Sequence, residues 1–232
     1  MALISGRIAY LAPDRLEIGR ESFELIARSG GFTLRAFCEI DEIALTRDVT
    51  LAMDRAWRPL DGFCRITKNG RRDAALWFDV TKKAVWLDGW IEGARTGPAT
   101  FPLSEPLAYL GLHPLQGDAL IVNARGTDRL GEYVPIASVT NSVSPDGDEA
   151  LGLRLITIDV AYVGEEEVTV LAGTFTARHF RLRWQPSWPP ADLWVRRQDC
   201  VFVKMEWAQV PTTYELAELS SEAQIDVKEP GL

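Results

Sequence analysis

The chain is short of the residues from which metal centres and many active sites are made. Its 232 residues include two histidines, His113 and His179, and three cysteines, Cys38, Cys64 and Cys200, spaced far apart. A zinc site needs about three or four nitrogen or sulfur ligands, so none is expected. No spaced Asp/Asn loop suggests a carboxylate-rich metal site either. Three dispersed cysteines without a C-x-x-C pair exclude a disulfide framework and point to free thiols in a reducing compartment. Also missing are a G-x-S-x-G elbow, a G-x-x-x-x-G-K-[ST] loop and a G-x-G-x-x-G after a strand. Three common enzyme classes lose support, and no cofactor is expected. The net charge of −8 leaves no basic footprint for nucleic acid. The N-terminus, Met-Ala-Leu-Ile-Ser-Gly-Arg, has no charged region followed by a long apolar one, as a signal peptide would. No run approaches the roughly 18 apolar residues of a membrane span. A cytoplasmic location is the expectation.

What is present is β-sheet pattern and tryptophan. Apolar residues alternate with polar ones through Phe23, Leu25 and Ala27, then through Phe32, Leu34, Ala36, Cys38 and Ile40, then through Val49, Leu51 and Met53. Period-two alternation of this kind predicts half-buried strands. Asn69-Gly70 between two such runs predicts a tight hairpin turn. Residues 15–93 therefore read as an antiparallel meander of five or six strands. From 94 to 117, Pro98, Pro102, Pro106 and Pro114 with Gly97, Gly111 and Gly117 break any long element. One short helix is expected near 104–113, with Ser104 as cap and Leu107, Leu110 and Leu112 turned inward. Residues 120–123 read as a further strand. Strands resume over 151–163, turn at 164–167, and continue over 168–184, 193–197, 200–208 and 212–216. The expected fold class is all-β, a lipocalin-like or spiral-roll open barrel in one domain over 1–214. After residue 214, five acids (Glu215, Glu218, Glu222, Asp226, Glu229) against Lys228 give a local charge of −4. Residues 215–232 are expected to be an acidic, partly disordered tail.

The C-terminal part carries a resemblance. It runs Gly173-Thr-Phe-Thr-Ala-Arg-His-Phe-Arg-Leu182, then Asp192-Leu-Trp-Val195, Val201-Phe-Val-Lys-Met-Glu206 and Thr213-Tyr-Glu-Leu216. This order resembles an uncharacterised bacterial β-rich family in which a G-x-F strand precedes a D-x-W strand and a final V-K-M strand. Such proteins look like relatives of lipocalins and of open half-barrels that carry lipoproteins or glycolipids. The likeness covers roughly the last 60 residues and implies a lipocalin-like or spiral-roll barrel.

The stretch most able to form a site is 72–93, which holds Trp77, Phe78, Trp86 and Trp90 with Asp79 and Asp88. On its second strand Trp86, Asp88, Trp90 and Glu92 share one face, and Val85, Leu87 and Ile91 the other. If the aromatic face lines a cavity, Asp88 lies between two indoles, where desolvation raises its pKa and suits proton transfer. The plainer alternative makes the aliphatic face core and the tryptophans an outer cover. His179 shares a face with Phe175 and Ala177 and would serve as a general base if oriented; the plainer alternative is a histidine hydrogen-bonded within the fold. Arg178, on the opposite face, is a candidate for an acidic head group.

These residues support three readings. The first is binding of a hydrophobic or aromatic small molecule, lipid-like or polycyclic, by Trp77, Trp86, Trp90, Phe175 and Arg178. The second is a cofactor-independent isomerase, lyase, hydratase or cyclase acting on such a molecule through His179 and Asp88. The third is a structural or partner-binding protein, such as a homodimer, that uses the tryptophan face.

Overall fold

Alternation sets the first half of the chain. In the computed structural model, which describes residues 2–221, Leu45, Arg47, Val49, Leu51 and Met53 are all buried and every residue between them is half-exposed. That strand, β4 (Leu45–Met53), is one of a run: β1 (Ala2–Leu11), β2 (Glu17–Arg28), β3 (Gly31–Ile40), β5 (Pro59–Lys68), β6 (Arg71–Val80), β7 (Ala84–Ile91) and β8 (Ala94–Pro102). Each pairs antiparallel with the next. At the β5–β6 turn Asn69 and Gly70 take φ of 50° and 71°, the doubly left-handed geometry that an Asn-Gly hairpin favours.

The second half holds β9 (Tyr109–Gly111), α1 (Leu115–Ala119), α2 (Val122–Arg125), β10 (Tyr133–Thr140), β11 (Arg154–Val170), β12 (Gly173–Arg183), β13 (Ala191–Arg196), β14 (Phe202–Trp207) and β15 (Thr213–Ser221). All strands join one open sheet in the order β8-β7-β6-β5-β4-β3-β2-β1-β15-β14-β13-β12-β11-β10-β9. Every pairing is antiparallel except β9 with β10. The all-β, meandering, unclosed architecture is the expected fold class. Among the described residues no helix is long and apolar enough to cross a membrane.

The segment from Leu107 to Arg125 lies in the concavity of this sheet. Its apolar residues Leu107, Leu110, Leu112, Leu115, Leu120, Ile121 and Val122 join a single core with residues of both halves. Gly62 on β5 makes room for it, since a Cβ there would press on the Leu110 and Leu112 side chains.

Several expectations are corrected here. The short helix lies at 115–119 and 122–125 instead of 104–113, where β9 forms. Leu107, Leu110 and Leu112 are buried as expected, but Pro114 sits at the N-cap of α1, so the helix begins after it. Residues 120–123 are helical turns and not a strand; a short apolar run cannot by itself separate the two. The Pro-rich stretch forms β8 because it is an edge strand, where proline is tolerated. The turn expected at 164–167 is absent: β11 passes through it with a bulge between Tyr162 and Gly164 and reverses beyond Val170. The boundary after residue 214 falls inside β15, which pairs with β1. The acids there are matched by arginines, Glu215 with Arg15 at 2.6 Å and Glu218 with Arg7 at 3.0 Å. The remainder of the expected tail, 222–232, lies outside the described residues.

A helix buried in a concavity needs partners for its first N–H groups, and α1 has no side-chain cap of its own. Glu21, fully buried on β2, supplies them. Its Oε2 accepts from the Leu115 N–H at 2.6 Å and its Oε1 from the Gln116 N–H at 3.0 Å. Gln116 carries the link on, accepting from Phe202 N–H at 3.0 Å and donating to Cys200 O at 3.2 Å. Burial pushes the Glu21 carboxyl up to about 7, against the two N–H donors that favour its charge. A carboxyl raised in the folded state stabilises most below its unfolded pKa, near 4.5, and loses that contribution as pH rises through about 7. Glu21→Gln should therefore be less stable than the parent near pH 4.5, by about 1–3 kcal/mol for one N–H left facing an amide. The gap should narrow steadily toward pH 8, as read by urea midpoints across pH. A constant gap would show that Glu21 does not titrate in this window.

Candidate functional site

A cavity of about 350 Å³ opens between the Leu107–Arg125 segment and the sheet. Its lining divides by chemistry. Ile156 and Ile158 from β11, Met205 and Trp207 from β14, and Trp184 and Trp188 from the β12–β13 connection are apolar. The three indoles form a continuous patch, with Trp207 4.9 Å from Trp184 and 5.3 Å from Trp188 between ring centroids. The polar side chains are Tyr10, Arg47, Tyr109, His113, Asp118 and Tyr214, with Thr140, Ser142, Ser144, Asp146 and Gln185 toward the 142–149 loop and the β12–β13 connection.

Arg47 arises on β4 at an inward position, where its neighbours on the same face are Leu45 and Val49. No carboxylate is paired with it among the described residues. Instead Nη1 donates to His113 O at 3.0 Å, and Nη2 to Asp146 O at 2.7 Å and Gly147 O at 2.8 Å. These bonds hold the 142–149 loop against the His113 turn at the rim of the cavity. Gly147 lies directly on the His113 ring, where any Cβ would clash. His113 itself has a φ of 68°, and its Nε2 lies 3.0 Å from Thr140 Oγ1 and 3.2 Å from Ser142 O. Burial, and then the Arg47 charge, push the imidazole down to about 3. It is neutral at physiological pH and acts here as a hydrogen-bonding strut.

Asp118 and Tyr109 are the second polar pair. The Tyr109 hydroxyl donates to Asp118 Oδ1 at 2.6 Å. Burial raises the Asp118 carboxyl to about 6, while the Tyr109 hydrogen bond and the Arg47 charge pull the other way. Tyr10 stands nearby, its hydroxyl 3.4 Å from Glu21 Oε2 and its ring edge-on to Tyr214 at 5.0 Å.

None of the seven residues singled out from sequence lines this cavity. On β7 it is Val85 and Leu87 that are buried, so the aromatic-acid face looks outward. Trp77 and Trp90 are 44% and 43% exposed, Trp86 is half-buried, and Arg72 lies over the Trp90 ring at 5.8 Å. Asp88 is held by Arg95 at 2.8 Å and 3.2 Å. That hydrogen-bonded pairing keeps its carboxyl below the usual range, the opposite of the expected elevation. His179 stacks on Trp194 at 4.4 Å and bonds Asp192 at 2.7 Å, on the outer face of β12. In the sheet, β6, β5, β4, β3, β2, β1, β15, β14 and β13 separate it from Asp88. The two do not form a catalytic pair. Phe175 is half-buried against the core. Arg178 points inward and donates to Cys200 Sγ at 3.0 Å, away from the cavity.

Arg47 and Glu21 did leave a signal in the sequence. Each interrupts the apolar parity of its strand, Arg47 beside Val49 and Leu51, Glu21 beside Phe23 and Leu25. Asp118 and Tyr109 left none, because the segment that carries them has no readable period. Among the described residues, no group of three or more His, Cys, Asp or Glu is placed to hold a metal ion.

Solved structures share this architecture, among them the following two. One is a β-barrel-like protein of the domain of unknown function DUF1849 from Brucella abortus, 10% identical, with a TM-score of 0.57, covering 96% of this chain and 97% of that one. The other is a DUF1089 family protein from Pseudomonas aeruginosa, 11% identical, with a TM-score of 0.54, covering 83% and 90%. The likeness extends over nearly the whole chain and is one of fold. No protein-family model matches the chain, and no curated protein matches it in sequence.

If Arg47 holds the 142–149 loop at the rim, Arg47→Leu should raise amide exchange there at least about tenfold. It should also cost at least about 1.5–3 kcal/mol, the worth of one hydrogen bond to a charged group. Hydrogen-exchange mass spectrometry checks this; unchanged exchange at 143–149 would show that the loop is held by other contacts.

Proposed function

We propose that this protein binds a hydrophobic or aromatic small molecule, lipid-like or polycyclic, in the cavity beneath the Leu107–Arg125 segment, as lipocalin-like carriers do. The observation that carries this reading is the continuous indole patch of Trp184, Trp188 and Trp207 beside Ile156, Ile158 and Met205, in a cavity of about 350 Å³. Ligand sites are typically concave, largely apolar and roughly 300–1,000 Å³, with a few polar groups that fix orientation. Of the polar groups in this cavity, Asp118 lies on the helix that Glu21 caps and His113 on the turn that Arg47 holds. Binding is preferred to isomerase, lyase, hydratase or cyclase chemistry because it needs no acid–base pair, and His179 and Asp88 stand outside the cavity.

The test uses a neutral polycyclic fluorophore, phenylnaphthylamine, titrated into the full chain. Binding should saturate at one site with transfer from tryptophan emission. Ile156→Trp, which fills the cavity from β11, should weaken it at least about tenfold, or about 1.4 kcal/mol. His179→Ala and Asp88→Asn should leave it unchanged. Binding that ignores Ile156→Trp would place the ligand elsewhere and sink the proposal.

A further inference from the structure

The two oxygens of Asp118 are not equivalent. Oδ1 accepts the Tyr109 hydroxyl at 2.6 Å, whereas Oδ2 has no hydrogen-bond partner among the described residues, although the side chain lines the cavity. A carboxylate oxygen only accepts, so it lacks a donor. Most of the other polar lining groups are committed, the Thr140, Ser142 and Ser144 hydroxyls to the loop itself. The terminal nitrogens of Arg47 donate to three backbone carbonyls. His113 Nε2 lies against Thr140 Oγ1 and Ser142 O, and the Tyr10 hydroxyl faces Glu21. The open positions in this lining among the described residues, Asp118 Oδ2 and the Asp146 carboxylate on the loop at the rim, are both acceptors.

We propose that the cavity selects a molecule with an apolar body and a hydrogen-bond-donor head, an alcohol or a primary amine, which donates to Asp118 Oδ2 while the body lies on the indole patch. This rests on the cavity-binding reading and adds the chemical class of the head group. An anionic head would meet the Asp118 carboxylate, with the Glu21 carboxylate close behind it; a head that only accepts would leave Oδ2 unpaired. The opposing feature is Arg47, whose Nε is buried without a partner and would draw an anion if its clamp on the loop were released. The two chemistries are therefore separable by ligand.

Size guides the choice of probe. At about 30 Å³ per water in the liquid, 350 Å³ corresponds to about a dozen water-sized groups. Decanol, decylamine, decanoate and methyl nonyl ketone all match that size and differ at the head: two donors, an anion and an acceptor. Affinities would be read by tryptophan fluorescence and calorimetry on the full chain near pH 8, where an Asp118 carboxyl raised to about 6 is ionised. Decanol and decylamine should bind at least about tenfold more tightly than decanoate and the ketone. Asp118→Leu, checked for folding by its melting curve, should bring all four within about threefold of one another. Should that variant fail to fold, Asp118→Asn keeps an acceptor but loses the charge. It should weaken decylamine about tenfold relative to decanol.

Decanoate binding as tightly as decanol would overturn the head-group assignment and point to Arg47. A donor preference that survives at Asp118→Leu, or an unchanged decylamine-to-decanol ratio at Asp118→Asn, would overturn it too. If none of the four binds while phenylnaphthylamine does, the cavity reading stands and the head-group class fails. If phenylnaphthylamine also fails, both fall.

Discussion

Backbone polarity in the concavity is the constraint from which the rest of this structure follows. A sheet of strands can pair its own N–H and C=O groups, but a non-strand segment buried inside it cannot. The Leu107–Arg125 segment and the 142–149 loop are such regions, and each is served by a buried side chain with several hydrogen bonds. Glu21 takes the first N–H groups of α1. Arg47 takes carbonyls of the His113 turn and of the loop. Arg125 donates to the carbonyls of Val160, Asp128, Arg129 and Glu132 at 2.8–2.9 Å. Such charges are costly to desolvate; the two arginines meet that cost with multiple charge-assisted bonds, the stronger kind, whereas the two N–H donors offset it only in part at Glu21, whose carboxyl is raised to about 7.

These staples also explain why there is a cavity at all. An apolar concavity of this kind would collapse until side chains met at crystal-like density. The segment cannot settle freely over Ile156, Ile158, Met205 and Trp207, because Gln116 fixes it at Cys200 and at Phe202, the first residue of β14, and Glu21 fixes it to β2. The indoles of Trp184, Trp188 and Trp207 pack on one another, and Trp207 Nε1 donates to Pro189 O at 2.7 Å. Rigid polar anchors on one part of the lining and rigid rings on the other hold the space open.

Much of the sheet was legible from sequence because period-two burial is local information. Phe32 to Ile40 and Leu45 to Met53 say which face is core without reference to any other strand. The Asn69-Gly70 turn is legible for the same reason. What was not legible is the third dimension of the sheet. Alternation separated Trp86 and Asp88 from Val85 and Leu87, but it cannot say which set faces inward when both are apolar enough. Cross-strand partners decided it: Leu87 lies beside Phe78, both fully or nearly fully buried, whereas Asp88 lies beside exposed Trp77. Composition drew attention to the densest cluster of aromatic rings, and that cluster is the outer face. The cavity's own tryptophans are dispersed at 184, 188 and 207, and sheet order alone brings them together.

The same logic identifies the residues that carried more information than their chemistry suggested. A charged side chain at inward parity on a strand must be satisfied by something outside the ladder, because the ladder uses only backbone groups. Glu21 and Arg47 both stood in that position, and both proved to hold the segment or loop that shapes the cavity. Asp79 and Asp88, which drew attention by standing among tryptophans, are at outward parity, where a charge needs no explanation. For an open β-roll of this type, the charge that breaks an apolar parity marks the interior machinery. The aromatic cluster that breaks a polar one marks only a face.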